Sequence, residues 1–217
     1  MSDPQRSVGK EIVLYDLGPS PNNQKVRIAL NYKGLPYRKI AVDPDDRSAL
    51  VEASGQPLTP VMLHGDTVVY DSRSILRYLD SNFRDTPPLF SSDYATMQEI
   101  ERLEKFARNQ LAEPVVTMFR QAMSGSPDPG VCEQACKKFN EVAGELESRL
   151  QNQSWLVGDQ MTAADVTAAP VVFLGMLPPE AGEKIDIVNF FRDNLELGAG
   201  REKTREWTMR VIAYDQR

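Results

Sequence analysis

Two cysteines, Cys132 and Cys136, and one histidine, His64, are the whole stock of thiol and imidazole in these 217 residues. The two thiols lie four positions apart in a stretch of helical period, so they share one helix face. With His64 far away in sequence, neither a tetrahedral zinc cage nor a disulfide framework can be built, and packed thiols are the expectation. No cysteine lies in residues 17–24, the turn after the first strand, which removes a cysteine nucleophile from that turn. Chemistry must therefore come from hydroxyls, carboxylates, carboxamides or an imported group. Such groups gather at two helix starts. Ser20, Asn22 and Asn23 stand in Gly18-Pro-Ser-Pro-Asn-Asn23, and Asp71-Ser72 opens a later helix. An acid and a hydroxyl there can hold a charged ligand or simply cap, and a serine beside proline is also an ordinary turn residue.

The elements that must position these groups follow from the pattern. Glu11–Asp16 is a near-continuous apolar run, hence a buried strand. A helix capped by Asn22 or Asn23 carries Val26, Ala29 and Leu30 inward and ends at Gly34. Tyr37–Val42 is a second strand, and 45–53 a short helix. Thr59–Leu63 and Thr67–Tyr70 form a hairpin around His64-Gly-Asp66, with His64 a hairpin residue. Asp71-Ser72 then caps a helix with Ile75, Leu76 and Leu79 inward. The order βαβ(α)ββα builds a small mixed sheet with helices on its faces. Arg84-Asp-Thr-Pro-Pro88 is the linker.

Everything after it is of helical period. Ser91 or Ser92 caps a long helix with Met97, Ile100, Leu103 and Phe106 on one face, and Pro114 is expected to kink or interrupt it. A helix at about 131–150 follows. Thr162-Ala-Ala-Asp165 is a capping box with Met161 and Val166 as its hydrophobic staple, ahead of an apolar helix containing Pro170. A last helix carries Trp207, Val211 and Ile212. The expected division is an α/β domain over 1–83 and an all-helical domain over 92–217.

Composition excludes several classes of function. Net charge is −6 with pI near 5.0, a poor match for non-specific nucleic-acid or anionic-membrane binding. Residues 1–80 hold ten Lys/Arg and ten Asp/Glu, leaving fifteen against twenty-one for the remainder, so the acidity belongs to the helical part. No apolar run approaches the ~18 residues of a membrane span. The first ten residues lack the apolar core of a signal peptide, and a cytoplasmic location is the expectation.

Three segments carry a resemblance to the cytosolic glutathione S-transferase superfamily. Ser20-Pro-Asn-Asn-Gln-Lys-Val-Arg-Ile-Ala-Leu30 with Lys33-Gly-Leu-Pro-Tyr37 resembles the family's active-site turn and first helix. Leu58-Thr-Pro-Val-Met-Leu63 with Val69-Tyr-Asp-Ser-Arg-Ser-Ile-Leu-Arg-Tyr-Leu79 resembles its cis-proline strand, acid–serine pair and third helix. Leu156-Val-Gly-Asp-Gln-Met-Thr-Ala-Ala-Asp-Val166 resembles its helical-domain capping segment. The resemblance implies a thioredoxin-like N-terminal domain, an all-α C-terminal domain and glutathione as co-substrate with no metal. It also implies an apolar electrophile as second substrate, held on the helical side around Met97–Phe119, and a homodimer.

It further implies roles for single residues. A glutathione thiol with pKa near 8.5 must be held as thiolate to attack. Ser20 occupies the place of the activating hydroxyl, with Asn22 and Asn23 as rival donors. Thr59, before a cis Pro60, would offer its main-chain N–H and C=O to the cysteinyl part. Asp71 suits the γ-glutamyl ammonium and Ser72 its carboxylate. Leu58 replaces the Lys or Gln that often binds the glycyl carboxylate, leaving Gln56 or Lys25 as substitutes. The alternative function is a non-catalytic binding or scaffold protein of the same fold.

Overall fold

The computed structural model describes residues 10–182 and 185–215. The chain forms two units, one running to Phe90 and rejoined from Tyr214, the other Ser91–Ala213.

In the first unit, β1 (Ile12–Asp16), α1 (Pro21–Tyr32) and β2 (Tyr37–Ala41) form a strand–helix–strand crossover. α2 (Ser48–Ser54) follows, then β3 (Val61–His64), β4 (Thr67–Tyr70) and α3 (Ser72–Asn82). The sheet order is β2-β1-β3-β4, with β1 parallel to β2 and antiparallel to β3, which pairs antiparallel with β4. β1 is central and its apolar residues Ile12, Val13 and Leu14 are buried, as the unbroken hydrophobic run requires.

Two local expectations change. Pro21 takes the first helical position, where its missing N–H costs nothing, so the cap residue of α1 is Ser20 rather than Asn22 or Asn23. His64 ends β3 with its side chain buried, its Nδ1 2.9 Å from the Tyr78 hydroxyl and its ring against Phe83. The two-residue turn is Gly65-Asp66 alone. The linker is anchored at its far end. The buried Lys33 ammonium pairs with Asp80 at 2.8 Å and donates to the Pro87 carbonyl, while Asp80 accepts from the Leu89 and Phe90 amides.

The second unit is helical: α4 (Tyr94–Phe106), α5 (Ala112–Met123), α6 (Pro129–Leu150), α7 (Ala163–Phe173), α8 (Asp186–Asn194) and α9 (Glu202–Ile212). Asp93, not Ser91 or Ser92, caps α4, accepting from the Thr96 amide at 2.8 Å. Pro114 does not end the helical run. A π turn at Ala107–Leu111 absorbs the break just ahead of it, in the wider ladder that a residue without N–H tolerates. α7 is buried along nearly its whole length and continues through Pro170.

The capping box of α7 organises this unit. Asp165, fully buried, accepts from the Leu156 amide, the Thr162 amide and hydroxyl, and the Trp207 indole N–H, each at 2.8–2.9 Å. Burial pushes its carboxyl above the ordinary range, and these donors oppose the rise. Glu147 plays a similar part for α9, accepting from the Thr204 amide and hydroxyl at 2.8 Å. Asp165→Ala would leave three buried N–H donors without an acceptor. At about 1–3 kcal/mol for each, the second unit is expected to lose about 3 kcal/mol or more in urea unfolding.

Candidate functional site

The two helix starts singled out by their chemistry are brought together. α1 and α3 pack side by side. The buried Ser72 hydroxyl donates to Asn22 Oδ1 at 3.4 Å and accepts from Lys25 Nζ at 3.3 Å. Lys25 thus stands at the acid–serine end, not at the glycyl end considered for it. Asp71 is exposed beside Ser72 and holds φ at 67°, a region that a non-glycine residue adopts at a cost. Its carboxylate accepts from the Ser74 amide and hydroxyl, both at 3.3 Å, so it caps α3 while one face remains in solvent.

The turn before α1 is built around Ser20. Its amide donates to the Leu17 carbonyl at 3.0 Å, and its carbonyl accepts from the Asn23 and Gln24 amides at 3.0 and 2.9 Å. Its hydroxyl caps nothing. A serine at an N-cap ordinarily spends that oxygen on the N2 or N3 amide. Here the Ser20 carbonyl takes the Asn23 amide and the Ser20 hydroxyl makes no capping bond, so its O–H stays available at the positive end of a twelve-residue helix.

The loop before β3 joins this turn through Asn23. That side chain is fully buried and donates from Nδ2 to Thr59 Oγ1 at 2.9 Å, while its Oδ1 has no partner among the described residues. The Thr59–Pro60 bond is cis. Among the described residues, no hydrogen bond engages the Thr59 main-chain N–H or C=O, which leaves an antiparallel pairing edge one residue long.

Gln56 does not join this set. Its carboxamide donates to the Leu58 carbonyl at 2.8 Å and accepts from the Leu58 amide at 2.7 Å, folding its own loop. Both ends are committed, because a carboxamide two residues from a main-chain amide closes a local turn more readily than it reaches outward. Leu58 itself is 71% exposed. Cys132 is buried and Cys136 partly so, as free thiols, and burial raises the Cys132 thiol above its ordinary range. Among the described residues no group of three or more His, Cys, Asp or Glu could hold a metal ion, and no helix is long and apolar enough to cross a membrane.

The decisive comparison is with family models. Residues 14–87 match the glutathione S-transferase N-terminal domain and residues 108–196 the C-terminal domain. The chain belongs to the glutathione S-transferase family. Among curated relatives, a probable glutathione S-transferase, parA of Nicotiana tabacum, is 29% identical over 162 residues, 73% of this chain and 70% of that one. FtsZ-localized protein A of Caulobacter vibrioides is 28% identical over 174 residues, 73% and 75% of the two chains. A solved glutathione S-transferase of Methylobacterium radiotolerans, in complex with glutathione sulfonate, superposes with a TM-score of 0.72 at 25% identity, covering 94% of this chain and 91% of that one.

Within this glutathione S-transferase fold, sequence reasoning overlooked two polar links. Asn23 was visible as a turn residue, but its bond to Thr59 spans 36 positions. The Arg27 guanidinium, paired with Asp16 at 2.5 Å and with Asp215 at 2.6 Å, was hidden because one partner lies 188 positions away. Asn23→Ala trades one hydrogen bond against one buried unpaired oxygen. Its unfolding free energy in urea is expected to stay within about 1 kcal/mol of wild type.

Proposed function

We propose that this chain binds glutathione in its first unit, holds the thiol as thiolate and transfers it to an apolar electrophile, with the second substrate's side assigned to the helical unit. The observation that carries the reading is the Ser20 hydroxyl, which sits at the cap position of α1 and caps nothing. An O–H donated to sulfur, with the unsatisfied N–H end of α1 behind it, favours the anion over the thiol. No general base need act once the thiolate has formed on binding; its proton leaves to water or buffer, and the sulfur lone pair makes the new C–S bond as the leaving group departs.

The remaining residues bind and orient. Thr59 offers its free main-chain N–H and C=O to the cysteinyl unit at the turn made by Pro60. The γ-glutamyl ammonium is taken by the exposed Asp71 carboxylate. Its carboxylate is taken by the Ser72 hydroxyl and amide at the start of α3, with Lys25 and Asn22 closing that end. A homodimer belongs to the same reading. Edge strand β4 leaves Tyr70 54% exposed, and α5 leaves Phe119 50% exposed, large side chains that an interface between copies would cover. Light scattering is expected to give about twice the 24.3 kDa chain mass.

Ser20→Ala is expected to raise the thiol pKa of bound glutathione and to lower kcat with an aryl halide about tenfold to a thousandfold, the upper part of which is the loss that follows removal of one positioned donor. Because that hydroxyl makes no capping bond, thermal stability should change by less than the ~1 kcal/mol of a usual cap loss. Unchanged turnover in Ser20→Ala with a loss in Asn22→Ala would hand the donor role to the carboxamide. A non-catalytic scaffold is the second reading, favoured by the exposed Leu58 and the self-engaged Gln56 where a glycyl contact is expected. Its signature is retention on immobilised glutathione with neither turnover nor a shifted thiol pKa.

A further inference from the structure

We propose that Asp215, in the segment following α9, is a positioning residue for the Ser20 turn, acting through Arg27 and Gln24. The proposal rests on the role given to Ser20 above. The Asp215 carboxylate accepts from Arg27 Nε at 2.6 Å, from Arg27 Nη2 at 3.0 Å and from Gln24 Nε2 at 2.9 Å. The first two form the parallel fork that sets the plane of a guanidinium rather than merely neutralising it. With that plane set, the Nη1–Nη2 end of Arg27 points at the β1–α1 connection ahead of Ser20. Nη1 reaches Asp16 Oδ1, at the end of β1, at 2.5 Å, and Nη2 reaches the Gly18 carbonyl at 3.2 Å. Gly18 is two residues before Ser20, and Gln24 donates its amide to the Ser20 carbonyl. One carboxylate therefore grips the turn from both sides of the serine.

The neighbouring contacts make the segment a strap rather than a passing tail. The Tyr214 carbonyl accepts from Asn31 Nδ2 at 2.6 Å, and the Tyr214 ring meets Tyr32 edge-on at 5.5 Å between centroids. Arg27 and Asp16 are buried, and Asp215 keeps only 14% of its side chain in solvent. A salt-screened surface pair would not hold a turn; a fork this dry does. Among the described residues the donors to the Asp215 oxygens, Arg27 and Gln24, both lie on α1, so its hydrogen-bonding capacity is directed at that helix.

The test compares the full chain with Asp215→Asn and Asp215→Glu by amide hydrogen exchange and by the ultraviolet thiolate signal of bound glutathione. In Asp215→Asn the Ser20, Asn23 and Gln24 amides are expected to exchange about tenfold faster while β3–β4 amides are unmoved. The bound thiol pKa is expected to rise, and kcat to fall about tenfold with KM for glutathione within twofold. Asp215→Glu, which keeps the charge and both oxygens, should recover part of each change. If Asp215→Asn does not fold, Gln24→Ala removes one of the three donors and carries the same comparison. Unchanged exchange at the turn, equal acceleration throughout the first unit, or a loosened turn with an unshifted thiol pKa each overturns the proposal. A wild-type chain that shows no glutathione thiolate overturns the proposed function instead, and turn exchange alone then decides whether Asp215 holds the turn.

Discussion

One guanidinium carries the geometry of the first unit. Arg27 leaves the second turn of α1, is almost fully buried, and meets a carboxylate on each side. Taking such a group out of water costs several kcal/mol, and only full pairing returns it, so the arrangement is better understood as a device for uniqueness than as a source of stability. It fixes where α1 begins relative to the end of β1. Ser20, the buried Asn23 and, through it, Thr59 inherit their positions from that junction. A turn made of Gly, Pro, Ser and Asn has little packing of its own to hold it, and polar links from outside the turn supply what packing does not.

The second unit solves a similar problem with a buried carboxyl group. Asp165 is buried at the start of α7 and satisfied by donors from the preceding loop, from its own cap and from Trp207 on α9. In both units a single ionisable side chain, saturated with partners, ties elements distant in sequence. The difference lies in what is left over. Around Asp165 the protein donors are all consumed, which suits a structural centre. Around the α1 and α3 starts, a hydroxyl, a main-chain donor–acceptor pair and one face of a carboxylate are left over, which suits a ligand with an ammonium, two carboxylates, peptide groups and a thiol.

Much of this was legible because it is local. The buried β1 run, the Gly65-Asp66 hairpin, the Thr162–Asp165 capping box and the two polar helix starts are all set by residues within a few positions of one another. Where several residues of equal capping quality adjoin, tertiary fit chooses among them: Ser20 over Asn22 and Asn23, and Asp93 over Ser91 and Ser92. The burial of His64 depends on Tyr78 and Phe83, fourteen and more positions away, which a hairpin signal does not show. α8 had an amphipathic pattern in Val188 and Phe191, but it is short and set among prolines and glycines. Gln56 turns back on the Leu58 main chain, a local bond that its reach outward must compete with. Asp215 lay beyond any reading of spacing, since no pattern links positions 27 and 215.

The central claim is that an unspent Ser20 hydroxyl at the start of α1 faces the sulfur of glutathione. A crystal structure of the chain soaked with glutathione addresses it most directly. The account predicts the sulfur within hydrogen-bonding distance of Ser20 Oγ, the cysteinyl unit paired with the Thr59 main chain, and the γ-glutamyl end at Asp71 and Ser72. A sulfur held by the Asn22 carboxamide with Ser20 turned away, or a site that stays empty at saturating glutathione, would contradict it.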